Sequence, residues 1–265
     1  MVRLSVAIIT RNEKEKIRDC LESVRFADEI VVVDSGSSDG TPDICREYTD
    51  NVFHRNWTGF PDQREYACSK AGGPWVLVLD ADERVSASLR EEIKTLLAGG
   101  DGGGEGPTHY LIPRREHLLG GWVAAGDWTR YHLRLFRKDL CGCIYTRDVH
   151  ERVLVRGAGG RFSGAILHLS HPTSAAFLAR INSYTDLEAA YASRQGKHFS
   201  WARALGLPVA VLFYRFCWRG GYRDGVRGFA LAALQGFYHF AKEIKLWEMT
   251  AVAAAPQEGK KGNGG

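Results

Sequence analysis

The chain has 265 residues, 45% hydrophobic and 25% charged, with a formal net charge of +4. That is the composition of an ordinary globular protein, long enough for one large domain or one domain plus an appendage. Its six cysteines follow no framework spacing, which excludes a disulfide-stapled scaffold and reads as free thiols.

The amino end, Met1-Val-Arg-Leu-Ser-Val-Ala-Ile-Ile-Thr10, carries an apolar run too short for a secretory signal, and it is expected to be a buried strand, Leu4–Thr10. From there strands and helices alternate. Helices are predicted over Lys14–Val24, Pro42–Tyr48 (with Thr41 as its cap), Asp62–Lys70 and Ser86–Leu97. Strands are predicted over Glu29–Asp34, Asn51–His54 and Trp75–Leu79. This order predicts a parallel sheet covered on both faces. Gly99–Pro107 reads as a loop, not a phosphate cradle, because no GxGxxG follows a strand. Short strands at Tyr110–Pro113, His132–Arg137, His150–Val155 and Ala165–Leu169 suggest a smaller β-rich lobe.

A helix is expected over Ser174–Arg194, with Phe177, Leu178, Ile181, Tyr184, Thr185 and Leu187 as its apolar stripe. A second is expected over Val226–Trp247. Between them Leu205–Trp218 is apolar but too short to span a bilayer, and Arg215 interrupts it. From Arg194 to Lys245 there are nine Lys and Arg residues against two acids, Asp224 and Glu243. Basic residues around aromatic helices suit an anionic surface; the alternative is a helical appendage packed on the core. Pro256–Gly265 is polar and reads as a disordered tail.

The chemistry-bearing residues gather at strand ends, where open α/β sheets keep their ligand crevices. Thr10 and Glu13 follow the first strand and Asp34 ends the second. Gln63-Arg64 opens a helix, where a guanidinium can reach a diphosphate. Asp80-Ala-Asp82 ends the Trp75 strand: two hard oxygen donors that suit Mg²⁺ or Mn²⁺, or else a turn in which Asp82 caps the next helix. Asp39 reads as a turn and cap residue. Arg147-Asp-Val-His-Glu-Arg152 and His168 come later; a histidine in an apolar strand is by itself a satisfied core residue as readily as a ligand. Cys141-Gly-Cys143 lacks the second pair a zinc site needs.

Taken in order, Arg11-Asn-Glu13, Phe26–Thr41 with its Val-Val-Val-Asp-Ser-Gly-Ser-Ser-Asp-Gly core, Gln63-Arg64, Leu79-Asp-Ala-Asp-Glu-Arg84, Arg134-Leu-Phe-Arg137, Val149-His-Glu-Arg152 and Arg223-Asp-Gly225 resemble family 2 glycosyltransferases. Within that family the likeness is to enzymes of lipopolysaccharide core assembly. The resemblance implies a GT-A fold, α/β with a mixed sheet. It implies a catalytic domain over residues 1–170, divided into a nucleotide-binding part (1–98) and an acceptor-side lobe (108–170). A helical, membrane-surface region over 171–250 and a tail over 251–265 would follow. The implied reaction is inverting transfer of a hexose from a UDP-sugar to a lipid-linked saccharide. It would take place on the cytoplasmic face of the inner membrane, without nucleic acid.

In that reading Thr10, Glu13 and Asp34 line the nucleoside pocket and Asp80 holds ribose or sugar. Asp82 holds Mg²⁺ or Mn²⁺ with Arg64 assisting at the diphosphate, and His168 is the second candidate ligand. Glu151 is the catalytic base, with Asp148 as runner-up because strand alternation puts the two on opposite faces. One departure concerns the acceptor side: Arg130 stands near where related sequences carry an acid before Arg134-Leu-Phe-Arg137, and Asp127 is the nearest substitute. Two other classes compete. A nucleotidyltransferase needs a glycine-rich triphosphate loop after the first strand, where this chain has Thr10-Arg-Asn-Glu13. A non-catalytic binding module would bind donor without turnover.

Overall fold

The computed structural model describes residues 2–99, 106–125, 128, 130–141, 155–171 and 173–252. Glu151, Asp148, His150, Asp127 and Cys143 lie outside the described residues. In chain order the elements are β1 (Leu4–Thr10), α1 (Lys14–Ser23), β2 (Glu29–Asp34), α2 (Thr41–Arg46), β3 (Val52–His54), α3 (Phe60–Lys70), β4 (Trp75–Asp80), β5 (Glu83–Val85), α4 (Ala87–Ala98), β6 (His109–Leu118), β7 (Gly121–Val123), β8 (Arg130–Arg137), α5 (Lys138–Cys141), β9 (Gly159–Arg161), β10 (Ile166–His171), α6 (Ser174–Arg194), α7 (Leu207–Phe213) and α8 (Gly225–Trp247). Wide π turns over Ala202–Gly206 and Tyr214–Trp218 flank α7.

The chain forms two compact units. The first comprises Met1–His117 and Thr129–Ser170. Its sheet runs β3-β2-β1-β4-β8-β6-β10-β5. β1 to β4 are mutually parallel, and β8 enters antiparallel to both β4 and β6. All seven residues of β1 are buried, as a strand with both faces covered requires. Its side chains alternate between two cores. Leu4, Val6 and Ile8 meet Ile17 and Leu21 of α1 and Leu89 and Ile93 of α4. Ala7 and Ile9 meet Ala67 and Cys68 of α3. Trp75, Leu77 and Leu79 of β4 join the first core, Val76 and Val78 the second.

Most expected elements form within a few residues of their predicted bounds, and the differences have local causes. α2 is capped by Gly40, at φ 90°, and not by Thr41. The Thr41 hydroxyl is engaged elsewhere: it donates to Asp39 at 2.6 Å and accepts from the Glu13 N–H at 3.0 Å. β5 forms just before the helix expected from Ser86, and Ser86, not Asp82, caps α4 by accepting from Leu89 N at 3.2 Å. β5 pairs antiparallel with β10, His168 opposite Glu83.

The second unit comprises Leu118–Trp128 and the chain from His171 onward. Leu118, Val123, Phe177, Ile181 and Leu231 form its core. The apolar stripe of α6 is narrower than expected: Phe177, Ile181, Thr185 and Ala189 are buried, whereas Leu178, Tyr184 and Leu187 are exposed. Asp224 accepts from the Ala124 and Ala125 N–H groups at 3.1 and 3.0 Å, tying the 118–128 segment to the start of α8.

Candidate active site at the carboxyl edge of the sheet

Register brings the predicted strand-end residues together. Thr10 pairs with Asp34 across β1 and β2, Ile9 with Asp80 across β1 and β4, and Asp34 with His54 across β2 and β3. The loops beyond them are laced to one another. The Asn12 N–H donates to Ser37 Oγ at 2.8 Å, and Asn12 Oδ1 accepts from Ser38 N at 2.9 Å. Asp39 accepts from Lys14 N and Thr41 N at 3.0 Å each, so it is structural, as expected.

Asp34 is buried, and its carboxylate organises the loop that follows. It accepts from the Gly36 and Ser37 N–H groups at 2.9 Å each, and from the Ser37 hydroxyl. Three buried polar atoms at the ends of β1 and β2 and in α3 have no hydrogen-bond partner among the described residues: Thr10 Oγ1, Ser35 Oγ and Gln63 Oε1. The Gln63 amide N–H₂ is fixed on the Asn56 carbonyl at 2.6 Å. Orphaned buried polar atoms are costly, and each is a place where a polar ligand would satisfy it.

From Asp80 a line of alternating charges crosses the sheet. Arg64 Nη2 donates to both Asp80 oxygens at 2.9 and 3.1 Å. Arg134 Nη2 bridges Asp80 at 3.2 Å and Glu83 at 2.7 Å. The other Glu83 oxygen accepts from Asp80 N at 2.9 Å, which closes the turn holding the two aspartates. Arg114 lies 3.5 Å from Glu83 and 2.8 Å from Glu116. Glu116 meets His168 Nδ1 at 2.6 Å, and His168 Nε2 meets Asp82 Oδ2 at 3.2 Å.

These environments shift the proton affinities. Burial resists ionisation of Asp80, but Arg134 and Arg64 outweigh it and hold its pKa well below the ordinary carboxylate value. Burial also opposes a charge on His168. Hydrogen bonds to Asp82 and Glu116 prevail, so its pKa rises to about 9 and the ring is cationic near neutrality. His132 on β8 behaves oppositely: burial and the neighbouring Arg114 and Arg134 lower its pKa to about 3. Glu13, half-buried, is raised by burial and, in smaller part, by the charge of Asp82, against the pull of Lys16.

The profile of Glycosyl transferase family 2 matches residues 5–103. The lipopolysaccharide core biosynthesis glycosyltransferase LpsC of Rhizobium meliloti is 31% identical over 96% of this chain and 95% of its own length. The chain belongs to glycosyltransferase family 2. As a family 2 glycosyltransferase it is a transferase, and its fold is GT-A. The Pyrobaculum calidifontis mannosyltransferase PcManGT, solved with GDP-Man and Mn²⁺, superposes with a TM-score of 0.54 at 19% identity, covering 94% of this chain and 88% of that one. S. aureus TarS residues 1–349 with UDP-GlcNAc superposes at 0.50 and 15% identity, covering 92% and 89%.

In this family 2 glycosyltransferase, then, Thr10, Glu13, Asp34, Arg64, Asp80, Asp82 and His168 fall within one unit, along one edge of its sheet and the strands beside it. Glu83, Arg114, Glu116 and Arg134 were given no role from the sequence, although Glu83 and Arg134 stand in quoted motifs. Their spacing gives no sign of a function, because their partners are remote: Glu116 meets a histidine 52 residues on. Among the described residues no group of three or more His, Cys, Asp or Glu side chains is arranged to hold a metal by itself.

Proposed function

We propose that this glycosyltransferase moves a hexose, with inversion, from a UDP-sugar to a lipid-linked saccharide of the lipopolysaccharide core, on the cytoplasmic face of the inner membrane. The observation that carries the donor half is the Asp82–His168 pair, 3.2 Å apart, beside the partly buried Asp80–Arg64 pair at the end of β4. LpsC, by its name a lipopolysaccharide core enzyme, supports the acceptor half.

The residues present fit a divalent cation. Asp82 offers a hard oxygen and His168 a nitrogen, and such ions accept a small protein set when substrate oxygens complete the shell. A bound Mg²⁺ or Mn²⁺ would neutralise charge developing on the departing diphosphate. Proton loss from His168 to the bound state would free its Nε2 while Glu116 keeps Nδ1 occupied. The orphaned Thr10, Ser35 and Gln63 atoms offer hydrogen bonds to the nucleoside. Asp34 keeps their loop in place, and Asp80, fixed by two guanidinium groups, faces ribose or sugar.

The acceptor hydroxyl must lose its proton as it attacks the anomeric carbon. Glu151 is the proposed base, with Asp148 as its substitute. Two assays test this reading. Nucleoside diphosphate release is measured with Mn²⁺ across a panel of nucleotide sugars; a preference for a UDP-hexose is expected, and the absence of any donor preference would overturn the proposal. Glu151→Gln is expected to bind donor normally while transfer falls at least about a hundredfold, the usual worth of a general base. Full activity of that variant would pass the role to Asp148.

A further inference from the structure

The second unit carries an apolar helix whose outer face nothing among the described residues covers. From Trp201 to Trp218 the backbone is continuously helical, running from a π turn through α7 into a second π turn. Neither α7 nor the following turn contains a buried residue. Trp201, Leu205, Val209, Phe213 and Trp218 are between 57 and 79% exposed. The first four are spaced by four residues. On a pure α-helix that spacing drifts around the axis; wider π turns rotate the other way and keep the row straight. The inner side rests on α8 through small groups. Ala204 is buried, and a Cβ added at Gly236 would lie 2.8 Å from the Pro208 carbonyl oxygen.

Charge identifies the occupant. Arg194, Lys197, Arg219 and Arg223 are exposed in the segments that flank this row in the chain, and Trp218, Tyr222 and Val226 alternate with the last two; Arg203, also exposed, pairs with Glu243 at 2.8 Å. Exposed apolar and aromatic side chains flanked by cations complement a surface that is apolar within and anionic at its rim. No helix among the described residues is long and apolar enough to cross a membrane, so the element lies along a surface. We infer that the outer face of the Trp201–Trp218 helix docks the protein on an anionic lipid bilayer, with Trp201, Leu205, Val209 and Phe213 entering the acyl boundary and Arg219 and Arg223 meeting headgroup phosphates. This deepens the lipid-linked-acceptor reading, and its test is separate from that reading because the vesicles contain neither acceptor nor nucleotide sugar.

The experiment is flotation of the full chain with vesicles of phosphatidylcholine alone or mixed with phosphatidylglycerol. Binding to the anionic vesicles, weakened by salt, is expected. The double substitutions Val209→Asp/Phe213→Asp and Arg219→Glu/Arg223→Glu are each expected to weaken partitioning by about tenfold or more. Circular dichroism checks that both variants keep their helices. The unmodified chain supplies a second readout: lipids brominated in the acyl chain should quench its tryptophan fluorescence, and less so in Trp201→Phe/Trp218→Phe. The inference is overturned if the chain ignores anionic vesicles or is not quenched by brominated chains. It is equally overturned if Val209→Asp/Phe213→Asp binds vesicles unchanged while abolishing a concentration-dependent dimer, which would assign the face to a second copy.

Discussion

The His168 ring is gripped at both nitrogens by carboxylates, Glu116 at 2.6 Å and Asp82 at 3.2 Å. The two grips differ in kind. Glu116 is buried and braced by Arg114, whereas Asp82 is partly exposed in the turn between β4 and β5. Glu116 is therefore a positioning residue: it fixes the ring so that Nε2 faces Asp82. Glu116→Gln preserves size and one hydrogen bond but removes the charge. Its Mn²⁺ affinity, measured by calorimetry in the presence of UDP, is expected to fall about ten- to a hundredfold. An unchanged affinity would reduce Glu116 to a packing role. The sequence could point to Asp82, Asp80, Asp34 and Thr10, because acids and hydroxyls at the ends of apolar strands have few structural reasons to be there. It could not point to Glu116 or Glu83. A glutamate in a strand reads as solvent-facing, and only tertiary pairing with Arg114 and Arg134 makes its burial tolerable.

At the scale of elements, the position of β10 decides where His168 stands. The turn before β10 is clamped on α4: Ser163 N and Gly164 N donate to Glu92 at 3.0 and 3.1 Å, and Ala165 N donates to Ser86 Oγ at 3.1 Å. Gly164 sits so close that a Cβ there would lie 2.3 Å from Leu89 N and 2.4 Å from Leu89 Cα. Backbone, not a flexible side chain, is in the way. Gly164→Ala is expected to cost about 1–3 kcal/mol in thermal unfolding, the usual price of overpacking, and to weaken Mn²⁺ binding by displacing His168. An unaltered midpoint would contradict the clamp. Periodicity revealed β1, β2, β4 and α6, whose runs are long and whose faces are well defined. It missed β5 because three residues with a buried glutamate carry no alternating pattern, and it widened the α6 stripe because Leu178, Tyr184 and Leu187 are apolar yet exposed.

At the scale of the whole molecule, chemistry and surface attachment are assigned to different units. The proposed donor-site residues Thr10, Glu13, Asp34, Arg64, Asp80, Asp82 and His168 lie in the first, which has the family 2 profile; the exposed apolar helix lies in the second, beyond the matched residues 5–103. The fold class was legible because Arg11-Asn-Glu13, Val31–Asp34 and Leu79-Asp-Ala-Asp82 mark the carboxyl ends of three parallel strands, β1, β2 and β4. Two features of organisation were not legible: residues 118–128 belong with the helical unit, held there by Asp224 and by Leu118 and Val123 in its core, and the outer row of the Trp201–Trp218 helix needs π turns that no composition announces. In the proposed function, Asp82 couples a divalent cation to donor binding. Calorimetric titration of UDP-glucose with Mn²⁺ into the unmodified protein and into Asp82→Asn tests it most directly. Metal-dependent binding by the unmodified protein is expected, weakened at least about tenfold in the variant when one protein ligand of the metal is lost. Equal binding by both proteins, or binding by the unmodified protein that persists undiminished in a chelator, would contradict it.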